Sequence, residues 1–202
     1  TTLLAGISHD LRTPMTRLQL NLEMLRDAPE PARIDKAVAD LDDMNRLIAG
    51  YLELARTTQP ETRVSVDLAA LLGGLAAEAG VGVAASVPCR VGAGPLALRQ
   101  IVANLIQNAQ RYGGDTPVEL ALECAPAEAC IYVRDGGPGI PADQLDKVFR
   151  PFYRLEGSRA QSTGGTGLGL AIVRQLAETN GWKVTLRNRP QGGLEAALRI
   201  RR

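Results

Sequence analysis

The sequence predicts an α+β protein: a helical hairpin followed by a mixed domain of helices and mostly antiparallel strands. Three observations lead to this fold class. Apolar residues recur every three or four positions through residues 1–56, as on one face of a helix. A polar, proline-bearing segment at 57–62 then indicates a linker. Beyond it, in residues 63–202, alternating strand patterns appear between shorter helical ones.

The hairpin carries two amphipathic stripes, one on each predicted helix. The first stripe consists of Leu4, Ile7, Leu11, Met15, Leu18, Leu22 and Leu25, and the second of Ile34, Val38, Leu41, Met44, Ile48, Leu52 and Ala55. The segment 27–31 separates them, because its two prolines cannot continue a helix. A lone hairpin cannot cover both stripes, so we expect a homodimer in which two hairpins pack as a four-helix bundle.

The mixed domain is predicted from its changing periodicity and its turn residues. Helices are expected at 68–79, 95–112 and 168–180, with a short one around 143–149. Strands are expected at 64–68, 118–123, 129–134, 183–187 and 194–200, with weaker candidates at 81–87 and 89–91. Residues 125–127 form the turn of a β-hairpin between the second and third of these strands.

Composition excludes several classes of protein. With 45% hydrophobic and 22% charged residues the chain is globular, and a net charge of +1 with 3% aromatics argues against a nucleic-acid partner. The longest low-charge stretch, 68–87, is a poor membrane span, so we expect a soluble portion of a longer protein. Three cysteines without a paired spacing make a disulfide scaffold or zinc site unexpected and favour small buried thiols in a reducing cytosol. Cys124 and Cys130 flank the hairpin turn and are candidates to face each other.

The single histidine, His9, falls on the solvent side of the first helix, because Ile7 and Leu11 belong to the apolar stripe. A neutral imidazole there is a candidate nucleophile, and Asp10 is placed to hold the other ring proton. Thr13 lies one turn away and is a candidate to orient a water, while Pro14 predicts a kink beside the histidine. A solvated histidine without a role is the alternative.

Two asparagines, Asn104 and Asn108, project from one face of the predicted helix 95–112. Asparagine is a mediocre helix former, and its amide oxygen is a ligand suited to Mg²⁺ beside phosphates. Arg111 and Tyr112, on the next turn, are candidates to reach a nucleotide. A solvent-exposed helix face that binds no ligand is the alternative.

A glycine-rich segment directly follows the strand 129–134. Asp135 at the strand end is a candidate to accept a hydrogen bond from the exocyclic amine of adenine. Gly137 and Gly139 allow the backbone to approach a ligand closely, and Ile140 follows them. A plain turn is the alternative, although three glycines around a proline exceed what one turn requires.

A second glycine-rich segment opens the helix 168–180 and is neither a P-loop nor a Rossmann motif. Its free N–H groups are candidates to bind phosphate, through Gly165, Thr166, Gly167, Leu168, Gly169 and Leu170. Between the two segments, Phe149 and Phe152 are candidates to pin a mobile lid, and Arg154 to contact a terminal phosphate. The alternatives are a flexible hinge and two aromatic core anchors.

Taken in order, the motifs at 8–14, 104–108, 135–139, 149–152 and 165–170 resemble those of sensor histidine kinases of two-component systems. The segments 8–14 and 108–113 are most similar to the EnvZ-type osmosensor group. The resemblance covers essentially the whole chain. It implies a dimerisation and histidine-phosphotransfer domain over 1–56, a linker over 57–62, and a catalytic domain with the Bergerat-type (GHKL) α/β sandwich over 63–202.

The resemblance also implies roles for single residues. His9 would accept the γ-phosphoryl group of ATP, with Asp10 as its base, and Thr13 would place water for dephosphorylating the partner regulator. Asn108 and Asn104 would hold Mg²⁺, and Asp135 would read adenine. The glycines at 137, 139, 165, 167 and 169 would shape the pocket.

Partners and location follow from the same resemblance. A response-regulator receiver domain, of the OmpR type, would take the phosphoryl group, and upstream segments would anchor the full-length protein in the bacterial inner membrane with this portion in the cytoplasm. One departure is Gly136, where the family often has Asn; the smaller residue predicts looser packing beside Asp135. The alternatives are a GHKL-type ATPase that drives a clamp and a scaffold that binds ATP without chemistry; His9 and the hairpin argue against the first.

Overall fold

A computed structural model describes residues 2–27, 30–56, 61–155 and 167–202. The chain divides into two compact units, Thr1–Ala55 and Arg56–Arg202.

The first unit is the predicted helical hairpin. Helix α1 spans Thr2–Asp27 and helix α2 spans Pro31–Arg56. The buried carboxylate of Asp40 on α2 joins the helices, because it accepts a hydrogen bond from Asn21 at 3.3 Å and pairs with Arg17 at 3.0 Å. Apolar stripe residues stay exposed on the single chain, among them Met15, Leu22, Ile34, Val38, Leu41, Ile48 and Leu52.

The second unit contains two sheets. Strands β1 (Val64–Asp67) and β3 (Arg90–Ala93) form an antiparallel pair. The larger sheet has the order β2-β4-β5-β7-β6. Its strands are β2 (Gly82–Ala85), β4 (Glu119–Cys124), β5 (Glu128–Arg134), β6 (Lys183–Asn188) and β7 (Leu194–Arg201). Only the β2–β4 pairing is parallel within it.

Three helices pack against one face of this sheet: α3 (Leu68–Ala79), α4 (Pro95–Tyr112) and α5 (Gly169–Asn180). Alternate strand residues form the core beneath them, including Leu120, Leu122, Ile131, Val133, Leu198 and Ile200. Local signals set the helix ends: Asp67 accepts a hydrogen bond from the amide of Ala70, and Gly80 and Gly181 adopt left-handed backbone after α3 and α5. The fold is the expected α/β sandwich.

Helices α3 and α4 and the hairpin turn at 125–127 match the sequence predictions, and α5 begins one residue late. The region around 143–149 differs, since it forms two 3₁₀ turns, Ala142–Gln144 and Lys147–Phe149, instead of one helix. No helix in the described ranges is both long and apolar enough to cross a bilayer.

The cysteine prediction is wrong for two of the three residues. Cys89 and Cys124 form a disulfide, with their Cα atoms 5.9 Å apart, and only Cys130 is a free buried thiol. Cys124 and Cys130 do not face each other, because Cys124 pairs in register with Ala129 and Cys130 with Glu123, which places them on opposite faces of the sheet. Linear spacing did not reveal the pair, because the two cysteines are 35 residues apart and meet only in the folded chain.

Candidate functional site

Helix α4 presents the two predicted asparagines on one face. The side-chain amide of Asn104 donates to the carbonyl of Gln100 at 3.0 Å, which leaves its oxygen available. The amide nitrogen of Asn108 is buried and has no hydrogen-bond partner among the described residues. A buried donor left unpaired costs about 1–3 kcal/mol, so the arrangement points to a ligand beside Asn108.

The first turn of α5 approaches this asparagine pair. A Cβ built on Gly169 would lie 3.2 Å from Oδ1 of Asn104, and 3.5 Å and 3.6 Å from Nδ2 and Oδ1 of Asn108. The helix has no side-chain cap at Leu168 and no acidic residue in its first turn. Its free N–H groups therefore carry a positive partial charge beside two amide oxygens, an arrangement suited to a cation and an anion bound together.

Gly167 and Phe152 hold the chain immediately before this helix. The amide of Phe152 donates to the carbonyl of Gly167 at 2.9 Å. Gly167 has φ +73°, and a Cβ there would lie 2.8 Å from the Cα of Phe152, so two independent reasons demand glycine. Phe152 itself has φ +60°, a strained value for an aromatic residue. Gly165 and Thr166, predicted to bind phosphate, lie outside the described residues.

Asp135 lies buried at the end of β5. Its Oδ1 accepts hydrogen bonds from the amides of Gly137, at 2.9 Å, and Leu194, at 3.2 Å. Both bonds within the described chain end on Oδ1, so the other oxygen of the fixed carboxylate remains to accept a hydrogen bond from a ligand. The backbone carbonyl of Asp135 accepts from Arg189 at 3.0 Å.

Three glycines bring the surrounding backbone against Asp135. A Cβ on Gly113 would lie 2.9 Å from the Cβ of Asp135, one on Gly137 would collide with the carbonyl of Tyr112, and one on Gly193 would collide with the carbonyl of Asp135. The end of α4, the loop after β5 and the start of β7 therefore converge here. The predicted looseness at Gly136 is not seen, since Thr116 occupies the space where a Cβ would stand.

Asn188, at the end of β6, holds the loop that contains Gly139 and Ile140. Its side chain accepts from the amide of Ile140 at 2.9 Å and donates to the carbonyl of Ile140 at 2.7 Å. Gly139 has φ +74° and packs against the same side chain. The sequence analysis did not identify Asn188, Arg189 or Gly193; the only available signal was the glycine-rich turn that follows β6.

The remaining predicted nucleotide residues divide between a core cluster and the surface. Ile140 and Phe149 are buried in one apolar cluster, against which Leu170 packs, and Arg174 stacks on the Phe149 ring at 4.5 Å. In this structure Phe149 therefore contacts protein on both sides, as the core-anchor alternative describes. Arg111 and Tyr112 are exposed on the last turn of α4, and Arg154 is half-buried. Their roles stay predictions.

The phosphoacceptor candidates lie in the first unit. His9 and Asp10 lie within α1, and their side chains are outside what the structure describes. Thr13 is exposed one turn further along, and Pro14 is buried inside the helix. The predicted kink at Pro14 stays a prediction.

A buried charge cluster stands beside Asp135. Glu195 on β7 pairs with Arg134 on β5 at 2.7 Å and with Arg187 on β6 at 2.6 Å. Burial alone would raise the pKa of Glu195, but the hydrogen bonds from Arg187 and Arg134 outweigh it and lower that pKa below its usual range. The cluster joins strands β5, β6 and β7 next to Asp135.

Known protein families match both units. Residues 93–202 match the family described as histidine kinase-, DNA gyrase B- and HSP90-like ATPases, and residues 1–60 match the His Kinase A (phospho-acceptor) domain. The sensor histidine kinase GtrS of Pseudomonas aeruginosa is 40% identical over 99% of this chain, and CpxA of Escherichia coli is 36% identical over 97%. The chain spans 41% and 46% of the lengths of these two relatives.

Solved structures show the same architecture. The ATP-binding domain of PrrB from Mycobacterium tuberculosis superposes with a TM-score of 0.57 over 70% of this chain and 98% of that one, at 32% identity. The histidine kinase ThkA, solved in complex with the response regulator TrrA, superposes with a TM-score of 0.72 over the whole chain and 61% of that one. At 20% identity the second likeness concerns the fold alone.

Proposed function

Because the chain belongs to the sensor histidine kinases of two-component systems, we propose that it transfers the γ-phosphoryl group of ATP to His9. The observation that carries the proposal is the buried, unpaired amide of Asn108 facing the uncapped first turn of α5. Residues 1–56 would act as the phosphoacceptor and dimerisation domain, 57–62 as the connection, and 63–202 as the ATP-binding domain.

The ATP-binding unit supplies contacts at both ends of the nucleotide. The free oxygen of Asp135 accepts a hydrogen bond from the adenine amine, in a pocket shaped by Gly137 and Gly139. The first turn of α5 receives the phosphates, together with Arg154. Asn104 and Asn108 would hold Mg²⁺ through their amide oxygens, and that ion, when bound, neutralises charge on the phosphate oxygens.

The chemical step needs one nucleophile and one base. A lone pair on the His9 imidazole attacks the γ-phosphorus, the bond from that phosphorus to the bridging oxygen breaks, and ADP leaves with those electrons. Asp10 takes the remaining ring proton from the phosphorylated imidazole. Positioning and charge neutralisation supply most of the rate, because phosphoryl transfer requires little covalent chemistry from the protein.

The phosphoryl group then passes to a partner regulator. We propose that an aspartate of a receiver domain, of the OmpR type, accepts it. We also propose that Thr13 places a water that attacks the aspartyl phosphate of the regulator and releases inorganic phosphate, which is the phosphatase reaction. The exposed stripes on α1 and α2 favour pairing of two chains into a four-helix bundle, which would bury them. In the full-length protein this portion would face the cytoplasm at the bacterial inner membrane.

Labelling with [γ-³²P]ATP and Mg²⁺ tests the proposal. We expect acid-labile, alkali-stable label on the wild-type chain, loss of label in His9→Gln, and unchanged label in the control Lys36→Gln, which alters an exposed residue of α2. Label that survives His9→Gln would contradict the assignment. ATP turnover without any protein-bound label would instead favour the clamp ATPase.

Two further variants test single roles. Asn108→Ala should abolish use of Mg-ATP, and wild-type autophosphorylation in this variant would refute the role in metal binding.

Thr13→Ala should reduce dephosphorylation of the regulator more than it reduces autophosphorylation. Equal loss of both activities would count against a water-placing role.

A further inference from the structure

Residues 61–63 directly precede strand β1. Glu61 accepts hydrogen bonds from two consecutive backbone amides at the start of α4, Leu96 at 3.2 Å and Ala97 at 3.0 Å. Sequence composition assigned Glu61 to a polar linker. In the structure its carboxylate is bound to a helix 35 residues away.

Glu61 acts as the missing cap of α4. The N-cap position is Gly94, which has no side chain to offer, and Pro95 follows it as the first helical residue. Leu96 and Ala97 are the two positions whose amides a capping side chain would normally bind. A Cβ on Gly94 would collide with the Glu61 carboxylate, so the glycine keeps the capping space open for Glu61.

Arg63 binds the other helix of the site. Its guanidinium donates to the carbonyl of Asn180 at 3.0 Å, at the last residue of α5. The charges match the helix dipoles, with a carboxylate at the start of α4 and a cation at the end of α5. These are the two helices that bring Asn104, Asn108 and Gly169 together.

We propose that Glu61 is a positioning residue for transfer to His9, because it sets the point at which the connecting segment leaves the ATP-binding unit. This inference rests on the proposed function. Only residues 57–60 lie between the end of α2 and Glu61. Without the carboxylate, the next side chain of this segment that is bound to the ATP-binding unit is that of Arg63, so the number of residues between the end of α2 and the first such side chain rises from four to six.

A longer connection lowers the effective concentration of one tethered unit at the other. For a flexible connection longer than the distance it spans, the decrease follows roughly the −3/2 power of length, which for six residues against four is about twofold. The nucleotide pocket itself is unchanged. The rate constant for labelling at saturating ATP should therefore fall by about twofold, while the half-saturating ATP concentration stays constant.

The decisive experiment separates tethering from capping in the 202-residue chain. Glu61→Ala removes both, whereas Glu61→Gly/Gly94→Ser restores a local cap without restoring the tether. Gly94 has φ −75° and ψ 116°, ordinary N-cap backbone, but a Cβ there would lie 2.8 Å from the Cβ of residue 61, so residue 61 of the double variant is made glycine (Glu61→Gly/Gly94→Ser) to leave room for the serine. Hydrogen–deuterium exchange at Leu96 and Ala97 reports the cap, and ³²P labelling reports the transfer.

We expect the amides to exchange about fivefold faster in Glu61→Ala, the equivalent of a lost cap, and to recover protection in the double variant. Labelling should stay slow in both. Recovery of labelling in the double variant would reduce Glu61 to a structural cap and overturn the proposal. Unchanged amide exchange, or a wild-type labelling rate, in Glu61→Ala would overturn it as well.

An independent variant lengthens the connection while the cap stays intact. Two glycines inserted between Gln59 and Pro60 should slow labelling by the same factor of about two without changing amide exchange. Unaltered labelling would overturn the proposal. A wild-type chain that acquires no label would contradict the proposed function, and the exchange data would still decide whether Glu61 caps α4.

Discussion

Substitution of Glu195 by glutamine should destabilise the second unit in a way that depends on pH. Glu195 is the buried centre of a three-strand charge cluster, and its side chain is only 4% exposed. Each of its two oxygens accepts one guanidinium hydrogen bond, from Arg134 at 2.7 Å and from Arg187 at 2.6 Å. Glutamine keeps the shape but removes the charge, and its NH₂ group replaces one accepting oxygen, so one guanidinium hydrogen bond is lost and the other weakens.

The magnitude follows from the exposure of the two partners. A hydrogen bond to a charged group contributes about 1.5–3 kcal/mol when shielded, which applies to Arg134, whose side chain is 26% exposed. The Arg187 side chain is 73% exposed, so solvent screens its pair with Glu195 and we assign that pair no share of the stability. We expect Glu195→Gln to lower the free energy of unfolding by about 1.5–3 kcal/mol and the melting temperature by about 4–9 °C.

The pH dependence has a definite sign. The pKa of Glu195 is lower in the folded chain than its ordinary value of 4.5, so the folded state stabilises the ionised form. This contribution is complete well above pH 4.5 and is lost as the pH falls through the folded-state pKa. The difference between wild type and variant should therefore be constant from pH 7 to pH 6 and should shrink at pH 3.5.

Urea unfolding followed by tryptophan fluorescence is the appropriate assay. Trp182 is the only tryptophan and is buried in the second unit, so the signal reports that unit alone. Glu128→Gln is the matched control, because Glu128 is an exposed carboxylate on β5, and it should change stability by less than about 0.5 kcal/mol. An effect that small for Glu195→Gln at pH 7, or an equal effect at pH 7 and pH 3.5, would refute the reasoning.

Two other predictions concern close packing and covalent linkage. Gly193→Ala should weaken nucleotide binding at least about tenfold, because its new methyl group is forced against Asp135. Gly192→Ala, at φ +93° but in open space, should cost only about 1 kcal/mol of stability. Titration with a fluorescent ATP analogue measures binding and urea unfolding measures stability, and equal nucleotide affinities of the two variants would contradict the prediction. Reduction of the Cys89–Cys124 bond should lower the free energy of unfolding by about 2–4 kcal/mol. In the control Cys89→Ser, dithiothreitol should leave the free energy of unfolding unchanged. A wild-type chain whose stability is insensitive to dithiothreitol would contradict this expectation.

Local signals made much of the fold predictable. Helix α4 was expected at the residues where it occurs, because Pro95 marks its first turn and the apolar period continues to Tyr112. That the asparagines and the second glycine-rich segment belong to one pocket was expected only through the family resemblance. The structure does bring them together, since a Cβ built on Gly169 would lie 3.2 Å from Oδ1 of Asn104.

Contacts between distant segments could not be predicted from local pattern. The carboxylate of Glu61 and the amides of α4, or Asn188 and Ile140, meet only because the tertiary fold brings them together. A polar residue in a polar segment has the same composition whether it is solvated or caps a remote helix. The same limit explains the missed disulfide at Cys89, whose partner lies 35 residues away.

The buried Asp40 has a mechanical consequence for the helical hairpin. Sliding α1 past α2 by one turn would move Arg17 and Asn21 about 5.4 Å from the carboxylate. A buried acceptor that loses its hydrogen bond costs about 1–3 kcal/mol, which is still above thermal energy. At this height the carboxylate therefore resists sliding of α1 along α2, whereas tilting or rotating the joined pair as a unit leaves both contacts in place.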